Sequence, residues 1–110
     1  MNIEDIREYC ISKKDTTESL PFGEDVLVFK VSGKIFALLN LEGPLRLSLK
    51  CDPQLAIELR ELYEQVNPGY HLNKQHWNTI SVDDSIPDNL ITEWIDHSYN
   101  LIRESIKRRG

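Results

Sequence analysis

Val26-Leu27-Val28-Phe29-Lys30-Val31, then Ser32-Gly33, then Lys34-Ile35-Phe36-Ala37-Leu38-Leu39-Asn40-Leu41 is the stretch on which the fold turns. Two runs rich in β-branched and aromatic residues, separated by two residues that include a glycine, read as a hairpin. Glu42-Gly43-Pro44 makes the next turn, and Leu45-Arg46-Leu47-Ser48-Leu49-Lys50 alternates without a break. Side chains point to opposite faces along a strand, so Leu45, Leu47 and Leu49 are expected to face a core. Arg46, Ser48 and Lys50 then share the other face, seen by solvent or by a partner.

Upstream, Asn2 is placed to cap a first helix whose Ile3, Ile6 and Cys10 recur on one side. Thr16-Thr17-Glu18-Ser19 ends that periodicity and leads into a loop, Leu20-Pro21-Phe22-Gly23. Downstream, Asp52-Pro53 starts a second helix, an acceptor side chain before a proline that has no N–H to lose. Leu55, Ala56, Leu59, Leu62, Tyr63 and Val66 form its expected buried stripe, and Asn67-Pro68-Gly69 stops it. Trp77-Asn78-Thr79-Ile80-Ser81-Val82 alternates as a further strand, and Asp83-Asp84 turns the chain. Pro87 then opens a long last helix, in which Leu90, Ile91, Trp94, Ile95, Ser98, Leu101 and Ile102 repeat at three and four. Trp94, Ile95, Leu101 and Ile102 are expected to pack on the sheet face made by Leu45, Leu47 and Leu49. Lys107, Arg108 and Arg109 end this helix, where positive charge suits its dipole.

The order is α-β-β-β-α-β-α with at least one strand between the last two helices, and tight turns make neighbouring strands antiparallel. The class is therefore α+β, with helices packed on one face of an antiparallel sheet. One hundred and ten residues, 40% of them hydrophobic, suffice for one core, so residues 1–110 are read as a single domain. No apolar run approaches the roughly 18 residues of a membrane span, and the N-terminus lacks the basic-then-apolar order of a signal peptide. A cytoplasmic monomer is expected. Cys10 and Cys51 lie too far apart for a dense disulfide scaffold and show no Cys-x-x-Cys spacing, so both are read as reduced, buried thiols.

The segment with most chemistry is Pro68-Gly69-Tyr70-His71-Leu72-Asn73-Lys74-Gln75-His76-Trp77-Asn78, which holds two of the three histidines and one of the two tryptophans. Turning needs only Asn67-Pro68-Gly69, and the residues beyond carry more polar groups than turning requires. The net charge of −5 argues against a dedicated nucleic-acid binder. Its distribution is uneven, however: residues 26–82 carry six basic and five acidic groups while both flanks are acidic. A local positive face is compatible with that count.

These motifs resemble the MmcQ/YjbR family of small bacterial proteins. The likeness rests on Pro21-Phe22-Gly23, Val28-Phe29-Lys30-Val31 with Gly33-Lys34-Ile35-Phe36-Ala37, Leu49-Lys50-Cys51-Asp52-Pro53, Pro68-Gly69-Tyr70-His71, Asn73-Lys74, His76-Trp77-Asn78 and Ser98-Tyr99. Leu72 stands where the family is expected to carry methionine. The resemblance implies a CyaY-like, frataxin-like fold and a DNA-binding role. It does not carry iron binding across, since fold does not determine function. Glu4, Asp5, Glu8 and Asp15, assigned to the first helix, read as an ordinary solvated face.

Four chemistries compete for the central segment. On the nucleic-acid reading, His71, Asn73, Lys74 and His76 donate to phosphate, Tyr70 stacks on bases, and Arg46 and Lys50 extend the patch. Trp77 is read as a packed anchor of the loop, because an aromatic opening an alternating strand is normally buried. Lys74 either contacts phosphate or donates to loop carbonyls. A protein-interaction module using the same loop is the alternative, with acidic flanks suited to a basic partner. An enzyme using His71, His76 and Cys51, with Lys74, ranks lower, because a nucleophile needs a base and an orienting group close by. A metal site ranks lowest: His71 and His76 are five apart, but no second ligand pair accompanies them, and no cofactor is expected.

Overall fold

The computed structural model describes residues 1–109. It has three helices and a six-stranded sheet. In chain order these are α1 (Ile3–Ile11), β1 (Thr16–Ser19), β2 (Val26–Val31), β3 (Lys34–Asn40), β4 (Arg46–Lys50), α2 (Pro53–Leu62), β5 (Val66–Pro68), β6 (Trp77–Ser81) and α3 (Asp88–Arg109). Every neighbouring pair in the sheet is antiparallel, in the order β1-β2-β3-β4-β6-β5. The α+β class with an antiparallel sheet is thus observed, with two short edge strands in addition to those expected.

Local chemistry explains the element ends. Asn2 caps α1 through a reciprocal box with Asp5. The Asp52 carboxylate accepts from the N–H groups of Gln54 and Leu55, with Pro53 in the first turn of α2. Ser32 and Gly33 both have positive φ, 49° and 87°, the conformation that a two-residue hairpin turn of matching twist requires.

Three expectations are corrected here. Thr16-Thr17-Glu18-Ser19 is not simply the way into a loop but β1, paired with β2 along its whole length. Asp15, assigned to α1, lies beyond its end in a turn with φ 61°. The second helix stops at Leu62, because Tyr63 turns extended, and Val66 is a strand residue opposite Ile80. Val66 is buried as expected, but Leu62 is 73% exposed.

The core lies between the helices and one face of the sheet. Phe29, Ala37, Leu39, Leu47, Leu49 and Ile80 meet Ile91, Trp94, Ile95 and Ile102 of α3 in a single apolar cluster. Leu45 packs on this cluster while half-buried, and Leu101 is half-buried and outside it. A register shift between Phe29 and Lys30 places Phe36 as an extra residue in β3, so Phe36 as well as Ala37 is buried in the core. Its backbone carbonyl accepts from the hydroxyl of Ser98 at 2.6 Å, and the same hydroxyl accepts from the Lys50 N–H at 2.9 Å. The fully buried serine in α3 therefore satisfies backbone groups of two strands.

Candidate binding cleft

Register fixes what the other face of the sheet displays. One row across it is Val26, Asn40, Arg46 and Ser81, and the next is Val28, Leu38, Ser48 and Thr79. Among the described residues, none from a helix lines the cleft over these rows. Instead the 20–25 loop brings Phe22 over one side and the 69–76 loop brings Tyr70, His71 and Leu72 over the other. They enclose an open cleft of about 360 Å³ whose floor is Val26, Leu38, Asn40, Arg46, Ser48 and Thr79. Phe22 and Tyr70 are 66% and 58% exposed, so these walls are apolar surface held in water.

The Tyr70–Leu72 tab is held by many bonds. The Tyr70 N–H donates to the Thr79 hydroxyl at 2.9 Å, and the Gly69 N–H donates to the Trp77 carbonyl at 2.8 Å. Gly69 is needed there, since a Cβ would lie 2.7 Å from that of Trp77. The Lys74 ammonium donates to the Gly69 carbonyl at 2.9 Å. Asn73 accepts from the N–H groups of Gln75 and His76. His71 takes φ 59°, and its ring lies 4.2 Å from that of Tyr70.

Arg60, on α2, ties this loop to the helix layer. It donates to the Asn78 side-chain oxygen at 2.7 Å and to the carbonyls of Lys74 and Trp77. Asn78 in turn donates to the Ala56 carbonyl. Arg60 carries no local signal in the sequence, because a charged residue on a helix is common by itself. Asn78 carried a signal: it is a polar residue at a core-facing position, opposite Leu49.

Three ion pairs form among the described residues, and most of the other basic side chains, Arg46 among them, have no carboxylate partner. Arg7 and Lys13 are paired with Glu18 and Asp96, and the terminal ammonium with Asp88. Among the described residues no carboxylate lies within ion-pair distance of Arg46. With the Asn40 amide oriented oxygen-inward, Arg46 donates to it from Nε at 3.2 Å and Nη2 at 2.7 Å, and its guanidinium lies 5.2 Å from the Tyr70 ring centre. On the cleft floor the Ser48 and Thr79 hydroxyls are 2.8 Å apart.

Of the residues singled out in the sequence, the structure brings Arg46, Tyr70 and His71 together on the cleft. Asn73 and Lys74 make bonds within the loop. Lys50 pairs with Trp77 one row beyond the floor, and neither lines the cleft. Trp77, read as a packed anchor, is half-buried on the open face and outside the apolar cluster. His76 is half-buried, and its carbonyl accepts from the Cys51 N–H. Cys51 is buried, and burial pushes its thiol up to about 11, with Asp52 adding to the effect. The third histidine, His97, accepts the Asp52 N–H at Nε2, 3.2 Å away. No helix among the described residues is long and apolar enough to cross a membrane.

Comparison with known proteins agrees with this architecture. A Deinococcus radiodurans protein of known structure, DR2400, described with a DUF419 domain, superposes with a TM-score of 0.87 at 39% identity, over 92% of this chain and 78% of that one. A Pseudomonas syringae protein superposes with a TM-score of 0.81 at 29% identity, over 92% and 98% of the two chains. The uncharacterised protein YjbR of Escherichia coli K12 is 34% identical over 98% of this chain and 96% of its own length. The uncharacterised protein YbdF of Escherichia coli O157:H7 is 38% identical over 81% of this chain and 74% of its own. The model of the YjbR family matches residues 11–101, and the chain belongs to that family.

Proposed function

We propose that this protein is a non-enzymatic DNA-binding protein that engages its ligand through the open-face cleft. The observation that carries the reading is Arg46: a guanidinium with no carboxylate partner, lying over the exposed ring of Tyr70 at the edge of an apolar cleft. An aromatic face beside a cation is the combination with which proteins hold unpaired nucleic acid. The expected contact set therefore centres on Arg46 and Tyr70 rather than on Lys74, whose ammonium is engaged by the Gly69 carbonyl. One Arg and no Lys lining the cleft, in a chain of charge −5, suits a single strand better than a duplex, whose binding draws on many neutralised phosphates. Against catalysis stands Cys51, whose thiol is protonated at neutral pH and so is a weak nucleophile.

Fluorescence anisotropy with a labelled single strand and the matching duplex, at low and physiological salt, tests this. The single strand should bind more tightly. Arg46→Gln should weaken binding and flatten the log–log salt slope by about 0.7, the share of one phosphate on a single strand. An unchanged slope and affinity would remove Arg46 from the account. A protein partner is the second reading, favoured by the exposure of Leu20 and Phe22 beside the cleft. It predicts no oligonucleotide binding at any salt.

A further inference from the structure

We infer that the cleft receives one unpaired nucleobase, its faces against apolar walls, its edge on the Ser48–Thr79 hydroxyl pair and its phosphate on Arg46; this rests on the nucleic-acid reading above. Three features of the cleft carry it. The first is size: about 360 Å³ lies near the lower end for small-ligand sites, room for a single ring system and not for a stacked run. A paired base cannot enter, because in a duplex its faces are stacked and its pairing edge is occupied. Only a base turned out of the strand, or one in a strand already single, presents both.

The second is the distribution of polarity. Phe22, Val26, Leu38 and Leu72 supply apolar surface around the interior, while Arg46 carries the charge. A base with its phosphate has the same order, a flat ring joined through a sugar to an anion. Two guanidinium nitrogens of Arg46 are taken by Asn40, leaving Nη1 to meet an oxygen without first breaking an ion pair.

The third is a count of protons on the floor. Thr79 accepts from the Tyr70 N–H, and the Ser48 and Thr79 hydroxyls share one hydrogen bond. Whichever of the two donates to the other, the second hydroxyl keeps a proton that no protein atom takes. Both side chains are nearly buried, 9% and 6% exposed, and both line the cleft. The floor thus offers one O–H donor to an acceptor on the ligand's inner edge, as a base carbonyl or ring nitrogen provides. The Thr79 hydroxyl also accepts the Tyr70 N–H that fixes the tab, so the wall and the donor are positioned together.

The test uses the full chain and a short abasic deoxyribose-phosphate backbone carrying none, one or three thymines, followed by anisotropy at low salt. The first thymine should strengthen binding by about tenfold, within the range expected for one stacked base, and two more should add only the statistical gain of extra registers. Ser48→Ala and Thr79→Val each leave one hydroxyl proton on the floor and should retain more of the gain from the first thymine than the double variant, which has none and should lose most of it, with unchanged circular dichroism confirming the fold of each variant. Equal increments from each thymine, or none from any, would overturn the single-base cleft while leaving nucleic-acid binding through Arg46 standing. If neither the abasic backbones nor a fully based single strand bound, the nucleic-acid reading itself would fall. Displacement of a cleft-bound probe by an acidic, aromatic peptide and by no oligonucleotide would give the site to a protein partner.

Discussion

The two faces of this sheet are built from the same strands, one residue out of phase, and they treat polar groups in opposite ways. On the helix-covered face the buried amide and serine are spent, Asn78 on Arg60 and on the Ala56 carbonyl, and Ser98, reaching down from α3, on backbone groups of β3 and β4; the buried Thr16 hydroxyl, opposite Val31, is the exception. On the open face a guanidinium stands without a carboxylate and a hydroxyl proton is left over, beside exposed aromatic walls. Polar groups on a filled face complete the fold, because leaving them unpaired in a dry layer would cost stability. Polar groups left available beside an accessible apolar cleft are free to recognise something else.

The largest effect should come from the covered face. Leu47→Ala should cost about 2–5 kcal/mol in chemical denaturation, since Leu47 is fully buried beneath α3. Leu38→Ala, on the open side of the adjacent strand, should cost well under half of that. Equal losses would erase the distinction between the faces.

Next comes the bridge between them. Arg60→Ala should cost about 2 kcal/mol, because it strands the nearly buried Asn78 oxygen as well as two loop carbonyls. The Tyr70 amide should also exchange faster with solvent as the tab loosens. Protection unchanged at Tyr70 would show that the tab does not depend on α2.

Lys74→Ala should lower stability by about 1 kcal/mol, the usual net worth of one such hydrogen bond, and leave the salt slope of DNA binding as it was. A flatter slope with unaltered stability would return Lys74 to the phosphate-contacting role.

The smallest effect lies at the far edge. Arg7 holds the Glu18 carboxyl below its ordinary range through a two-pronged pair that joins α1 to β1. A depressed folded pKa contributes stability that is present above the unfolded value and lost as pH falls through the folded one. The difference in melting temperature between the natural chain and Glu18→Gln should therefore be small at neutral pH and vanish in acid. A difference that grew on acidification would contradict the assignment.

How much of this could be read from the chain follows the same division. Alternation alone assigns Leu47 and Leu49 to one face and Arg46 and Ser48 to the other, and end signals with apolar spacing mark the three helices. Strand β1 escaped because Thr16-Thr17-Glu18-Ser19 is polar throughout; it is an edge strand identified by its partner, not by its own pattern. The end of α2 is not legible locally, because Tyr63 and Val66 continue the helical spacing of Leu59 while belonging to the chain beyond the helix. At the cleft, composition marked the 68–78 segment as chemically dense, but residue type does not reveal whether a donor is already engaged. Lys74 and Arg46 are both basic side chains near Tyr70, neither with a carboxylate partner, and only geometry distinguishes the ammonium held by the loop's own Gly69 carbonyl from the guanidinium that lines the cleft. Arg60 acts on residues 14 to 18 positions away, a relation to which no local pattern points.

The most direct test of the account is a titration of isotopically labelled protein with a short oligothymidylate, following backbone amide shifts. The shifted amides should cluster at residues 69–72, at Ser48 and Thr79 and around Phe22, while those of α1 and α3 stay in place. Shifts centred on the helices, or none at saturating oligonucleotide, would contradict the assignment of binding to the open face.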